Sequence, residues 1–252
     1  MIFLKVNFGG FVPLSTVDWR GRAVCVVFLR GCPVCCHYCH NTALREGEDL
    51  RDPEEIVSLM ESSRMLVSGV IFSGGEPTMQ KDPLLLLAAR ARRLGFRVGI
   101  HTNGVFPETI QALIEERLLD RVALDIKTRW ERYNDLLKRP YVKRVQRSLA
   151  ICRQAHADGS LPEFEIVVTL FRGCEDDLPE IAREAEGVDL VLQQGVIQSL
   201  APLSGEELAA AAKSLSRRVI IRTREDGEIV CGGSASPPAD PKRYPADTET
   251  ER

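Results

Sequence analysis

Two rhythms of apolar and polar residues alternate along this chain. Ala23-Val24-Cys25-Val26-Val27-Phe28-Leu29 is a nearly continuous apolar run, the pattern of a strand covered on both faces. Similar short runs recur at 69–73, 96–101, 121–126, 164–170, 188–193 and 218–223. Between them lie helix-like segments at 52–65, 82–93, 107–117, 130–137, 142–155, 176–186 and 205–215. Asp52-Pro53-Glu54-Glu55 carries the marks of a helix start: an N-cap, a proline in the first turn and acids at the positive end. Gly95 marks a helix end. Alternation of this kind predicts an α/β fold, with a parallel sheet wrapped by helices. Right-handed crossovers would curl that sheet toward a barrel or a doubly wound sheet, and periodicity alone does not choose. One domain is expected over residues 1–230, and the small, polar residues 231–252 are expected to form a disordered tail.

The unusual residues sit just after strands. A cysteine cluster follows the first, Ser73-Gly74-Gly75-Glu76-Pro77 the second, Thr102-Asn103-Gly104 the third, and Asp125 and Lys127 end the fourth. All would share one carboxyl edge, where barrels and open α/β sheets place their ligands.

Composition narrows the possibilities. The chain has 252 residues and a net charge of −3, so no whole-chain basic footprint exists and no nucleic-acid partner is expected. The N-terminus has no basic segment leading into an apolar core, and no long apolar run occurs, so neither a signal peptide nor a membrane span is expected. A cytoplasmic protein is the expectation. Of eight cysteines, Cys32, Cys35, Cys36 and Cys39 fall within eight residues. A disulfide scaffold would be shorter and denser in cysteine, so the cluster points to a metal.

Three ligand sets are arithmetically open. Four thiolates could hold zinc, although two pairs with no spacer would strain a tetrahedron. A four-cysteine iron–sulfur cluster could recruit Cys174 or Cys231. Cys32-x3-Cys36-x2-Cys39 leaves Cys35 spare and would leave one iron of a four-iron cluster open.

That last spacing, with Tyr38 before the final cysteine, resembles the radical S-adenosylmethionine (SAM) superfamily. Gly31-Cys32, Tyr38-Cys39-His40-Asn41 and the upstream Pro13–Arg22 segment (with Arg20 where relatives often have Pro) are similar to activating enzymes of glycyl-radical enzymes. Within that family the likeness is greatest to the activating proteins of anaerobic ribonucleoside-triphosphate reductases. It covers roughly residues 5 to 225.

The resemblance implies a partial (β/α)6 barrel with one 4Fe-4S cluster held by Cys32, Cys36 and Cys39. It implies SAM chelating the open iron and being cleaved reductively to a 5′-deoxyadenosyl radical. The expected target is a glycine in a partner glycyl-radical enzyme, with electrons from a flavodoxin or ferredoxin. Expected cofactor contacts are Tyr38, His40, Asn41, Gly74, Gly75, Glu76, Thr102, Asn103, Asp125 and Lys127. In that family Gly74-Gly75-Glu76 would meet the SAM amino group and Thr102 its carboxylate, with Asn103 shaping the loop. Lys127 suits the carboxylate and Asp125 the ribose. His101 stands where relatives often have Asp, and a neutral imidazole brings no charge compensation.

Cys25 and Cys152 lie in apolar patterns and read as buried small hydrophobes. The Arg90, Arg92 and Arg93 run reads as a solvated helix end. By the resemblance, Thr169–Gly173 takes the place of a strand-end loop where relatives often have Val-Pro-Gly, and Gln193-Gln194 that of a strand end with a Gln or a ribose-binding His; each is a further candidate cofactor contact. Two competing functions remain: a radical SAM enzyme modifying a small molecule or nucleoside, and a zinc or electron-transfer module.

Overall fold

The structure is a computed structural model that describes residues 4–197 and 200–232. The expected tail lies outside them, apart from Cys231 and Gly232. The strands are β1 (Val6–Ser15), β2 (Val24–Leu29), β3 (Leu50–Arg51), β4 (Gly69–Gly74), β5 (Arg97–Thr102), β6 (Arg121–Asp125), β7 (Glu163–Leu170), β8 (Asp189–Gln194), β9 (Val219–Thr223) and β10 (Gly227–Cys231). The helices are α1 (Pro53–Ser62), α2 (Lys81–Arg93), α3 (Pro107–Glu115), α4 (Trp130–Leu137), α5 (Val142–Ala157), α6 (Leu178–Glu184) and α7 (Gly205–Ser214).

All ten strands join one sheet in the order β10-β9-β8-β7-β6-β5-β4-β2-β1-β3. From β2 through β9 the neighbours run parallel, linked by helical crossovers. β1 and β10 pair antiparallel at the two flanks. The sheet does not close. The strand–helix alternation predicted this α/β parallel core, and the open, curved sheet is the partial barrel that the resemblance implied.

Alternate side chains divide the core. Val122 and Leu124 of β6 face the helices, beside Leu113 and Leu149, in the main cluster. Ala123 turns the other way, joining Val167, Val191 and Ile220 inside the curve of the sheet. Trp19, from the β1–β2 connection, fills the other part of that interior with Val24, Val26 and Ile71. Its indole N–H donates to Glu163 Oε2 at 2.8 Å, and the buried Arg121 donates to Glu165 Oε1 at 2.6 Å. These two contacts pair polar side chains of the sheet interior with one another, while Arg121 Nε keeps no hydrogen-bond partner.

The N-terminal signal of α1 has the predicted form. The Asp52 carboxylate accepts the Glu54 N–H, while Glu55 reaches back to the Asp52 N–H.

Three strands were not anticipated: β1, the two-residue β3 that pairs with it, and β10. β1 contains Gly9, Gly10 and Pro13, and its register with β2 shifts twice, between Phe8 and Gly10 and between Val12 and Ser15. Bulges at those points absorb residues that would break a regular ladder. β10 follows a tight reversal in which the Asp226 N–H donates to Thr223 Oγ1 at 2.9 Å. The Asp226-Gly227 pair is a turn signal that could have revealed it.

Candidate functional site

β2 stops at Leu29 and the chain makes a cinched loop. The Gly31 N–H donates to Leu44 O at 2.8 Å and the Cys32 N–H to Arg45 O at 3.1 Å. The Arg30 guanidinium donates to Ala43 O and Glu46 O at 2.6 and 3.2 Å. All four clustered cysteines ride on this loop. Cys36 is buried, Cys32 and Cys39 half-buried, and Cys35 exposed. Burial pushes the Cys32 thiol up to about 12 and raises Cys36 as well. These sulfurs ionise readily only with a compensating cation beside them.

Among the described residues, no three His, Cys, Asp or Glu side chains converge closely enough to hold a single metal ion. A donor set of three thiols spread along one loop suits the corners of a multi-iron cluster better than mononuclear zinc. Neither Cys174 nor Cys231 lines the cavity beside the loop.

The end of β4 is pressed against this loop. The Gly75 N–H donates to Leu29 O at 2.9 Å and the Glu76 N–H to Gly31 O at 2.7 Å. A Cβ on Gly74 would stand 2.2 Å from Leu29 O, and one on Gly75 2.3 Å from Gly31 O. The close approach that these glycines permit is therefore to the loop's own backbone. Asn41 Nδ2 closes the contact by donating to Gly74 O at 3.1 Å.

Glu76 is fully buried and its carboxylate faces only donors. Oε1 accepts from Thr78 N–H (3.0 Å), the Thr78 hydroxyl and the Thr102 hydroxyl (2.7 Å). Oε2 accepts the Asn103 N–H at 2.7 Å. Burial pushes its pKa up, and the four donors pull it back. Thr102 gives its hydroxyl proton to Glu76 and accepts the Gly104 N–H at 3.0 Å. Its side chain thus fixes the loop and has no proton left for a ligand. Asn103 accepts the Val105 N–H on Oδ1 and points Nδ2 at Cys32 Sγ, 3.7 Å away.

His101 Nε2 lies 3.1 Å from Asp18 O. A carbonyl only accepts, so this nitrogen carries the proton. Burial, then the nearby Arg121 charge, lowers the pKa to about 4, leaving a neutral ring. Lys127 contacts Asp125 Oδ2 directly, and its ammonium sits 5.7 Å from the centre of the Tyr38 ring. Tyr38 packs on Phe171 with centroids 4.6 Å apart. Asp125 Oδ1 is buried without a hydrogen-bond partner.

Every cluster and cofactor residue singled out in the sequence lines one cavity of about 840 Å³, a size typical of small-molecule sites. Its far wall holds Gln193, one of the further cofactor candidates of the sequence reading, together with residues given no role there. Asp18 and Arg20 enter from the β1–β2 connection, and Gln193, Arg222 and Glu228 from β8 to β10. Arg222 donates to Glu228 Oε1 at 2.6 Å, and Arg20 lies 3.4 Å from Glu228 Oε2. The alternation Ile220, Arg222 along β9 was the signal that Arg222 faces inward.

Other singled-out groups have structural partners. Gln194 donates to Leu203 O at 2.7 Å, Arg172 pairs with Glu207, Arg90 with Glu54, and Arg92 with the buried Asp120. Cys25 and Cys152 are buried. No helix among the described residues is long and apolar enough to cross a membrane.

An open, mainly parallel α/β sheet with a cysteine loop and a cavity carrying a few convergent polar groups on its carboxyl edge is the arrangement of a cofactor-binding enzyme. Residues 26–185 match the family model described as the radical SAM superfamily, and the chain belongs to that superfamily. The family uses a 4Fe-4S cluster and SAM. A Methanocaldococcus jannaschii protein provisionally named a glycyl-radical enzyme activating enzyme is 40% identical over 136 residues, 54% of this chain and 56% of that protein. A Methanothermobacter marburgensis protein provisionally named a GTP 3′,8-cyclase is 30% identical over 118 residues, 46% of this chain and 38% of its own length. The matches span about half or less of these relatives' lengths. A radical SAM methyltransferase from Sphaerobacter thermophilus superposes with a TM-score of 0.67 at 16% identity, covering 82% of this chain and 68% of that one.

The cavity's groups fit the family's cofactors. Three thiols present sulfur to a cluster, the buried Lys127 ammonium suits a carboxylate, and the orphaned Asp125 Oδ1 suits a ribose hydroxyl.

Proposed function

We propose that this chain is a radical SAM activating enzyme that generates a glycyl radical on a partner enzyme, the anaerobic ribonucleoside-triphosphate reductase being the first candidate. The observation that carries this reading is the convergence on one cavity of the Cys32, Cys36, Cys39 loop with Glu76, Thr102, Asn103, Asp125 and Lys127. The M. jannaschii relative supports the activating-enzyme class.

In this reading Cys32, Cys36 and Cys39 hold the cluster and Cys35 is a bystander on the exposed side of the loop. Held there, the cluster would supply the one-electron reduction that cleaves SAM, the chemistry needed to remove a hydrogen atom from the partner's glycine Cα. The chain's own contribution is placement. Lys127 pairs with the SAM carboxylate, and Asp125, facing it, accepts from a ribose hydroxyl. Glu76 acts indirectly, by holding Thr102 and Asn103. Tyr38, backed by Phe171, covers Lys127 and keeps water from the ion pair. A flavodoxin or ferredoxin delivers the electron.

Anaerobic incubation of the reconstituted chain with SAM, a one-electron reductant and the candidate reductase is the test. A glycine-centred doublet in the electron paramagnetic resonance spectrum is the expected result. Deoxyadenosine formed with no doublet for any glycyl-radical partner would overturn the activating role.

The second reading is modification of a small molecule or nucleoside. It draws on the relatives provisionally named GTP 3′,8-cyclases and on the charged far wall of Arg222 and Glu228, which a polar small substrate could meet. Deoxyadenosine formation stimulated by a nucleoside rather than by a protein partner separates the two.

A further inference from the structure

Asn103 holds its carboxamide in one orientation. Its Oδ1 accepts the Val105 N–H at 3.1 Å, so the oxygen side of the amide is fixed by a main-chain donor. The Nδ2 side must then face the other way, where Cys32 Sγ lies 3.7 Å distant. The backbone of the same residue is pinned as well, because its N–H donates to the buried Glu76 Oε2 at 2.7 Å. On the far side of the loop, Ser148 Oγ donates to Gly104 O at 2.6 Å. Asn103 is itself buried. A donor held this rigidly, beside a sulfur in a water-poor setting, exerts an effect that a mobile surface amide would not.

We propose that Asn103 is a positioning residue that donates an N–H···S hydrogen bond to Cys32 and so sets the reduction potential of the iron–sulfur cluster. The inference rests on the reading of Cys32 as a cluster ligand. Its physics is general. Reduction adds one electron to the cluster, and part of that charge resides on the thiolate sulfurs. A donor aimed at one of them stabilises the reduced form more than the oxidised form and raises the potential. In this fold the donor sits on the β5 carboxyl end and the ligand on the β2 carboxyl end. The Glu76 network, anchored on β4 between them, fixes the gap.

The test is a redox titration of the anaerobically reconstituted full chain, without SAM, followed by the paramagnetic signal of the reduced cluster. Asn103→Leu removes donor and acceptor while keeping the branching and the number of heavy atoms of the side chain. Asn103→Asp removes the donor and keeps an oxygen for the Val105 N–H. Both should hold a normal content of iron and sulfide. At the unmodified midpoint potential, the ratio of reduced to oxidised cluster should fall about fivefold in Asn103→Leu, the effect of one weak hydrogen bond. Asn103→Asp should fall at least as far, since its charge acts in the same direction. Ser148→Ala loosens the same loop without touching the sulfur and should titrate as the unmodified protein does. If Asn103→Leu loses its cluster, Asn103→Asp carries the measurement. A potential unchanged in the Asn103 variants overturns the proposal, as does an equal downshift in Ser148→Ala. Failure of the unmodified chain to bind a cluster would instead remove the ligand reading itself, and this inference with it.

Discussion

Glu76 and Thr102 join the ends of two neighbouring strands through a 2.7 Å hydrogen bond from the threonine hydroxyl to the carboxylate. With the Asn103 N–H on the other carboxylate oxygen, a single buried side chain sets the spacing between the β4 and β5 edges of the cavity. Glu76→Gln puts an amide NH₂ against these donors. Loss of about 2–3 kcal/mol of unfolding free energy is expected. Urea unfolding measures it, and hydrogen exchange should show lost protection at the Asn103 and Gly104 amides.

The cysteines should separate into two classes. Substituting Cys32, Cys36 or Cys39 with Ala should abolish the broad absorption near ~400 nm after anaerobic reconstitution and stop SAM cleavage. Cys35→Ala should leave both in place, because that thiol is exposed. An equally damaged Cys35→Ala protein would show that the ligand assignment is wrong.

Lys127 is almost fully buried beside Asp125. Lys127→Met keeps the length of the side chain and removes the charge. SAM affinity should weaken about 10- to 100-fold, the worth of one desolvated charge-assisted contact. Equilibrium dialysis with labelled SAM on the cluster-loaded protein measures it, with cluster content expected to be unchanged.

His101 gives stability a defined acid limb. Its folded pKa lies at about 4, below the usual 6.5, because of burial and then the Arg121 charge. Asp18 opposes the shift and Arg222 adds to it. Between those values the unfolded chain binds a proton that the folded chain refuses, so stability falls as pH drops through the window. Above it the contribution is complete. The loss should reach on the order of 3 kcal/mol at the lower end, and His101→Gln should flatten that limb. Urea midpoints across the window compare the two proteins.

The parallel strands were legible because each is a short apolar run buried on both faces, and each is followed by its chemistry. Residues 130–137 matched α4 without correction. β1 was hidden because Gly9, Gly10 and Pro13 sit at or beside register shifts that local pattern cannot anticipate. The site was legible as a set of residues and less so as a set of roles. Asp125 and Lys127, placed by the apolar pattern at the end of the fourth strand, do reach the cavity, where they also contact each other, whereas nothing local shows that Thr102 spends its proton on Glu76. That bond joins residues 26 positions apart, and only the folded chain brings them together. Arg222 and Glu228 were missed for a related reason. They pair with each other across the unanticipated β9–β10 hairpin, and their further partners lie on β7 and in the β1–β2 connection.

The two antiparallel flanks have a consequence for how such a protein can change. The β1–β2 connection and the β9–β10 hairpin contribute Arg20 and Glu228 to the far wall, while the cysteine loop and the β4, β5 and β6 ends keep the inner wall. A lineage could rewrite the outer pieces, lengthening or recharging them, without disturbing the main-chain clasp between Gly75 and Leu29. Under the proposed function, radical generation and choice of target become separable inheritances, carried by different strands of one sheet.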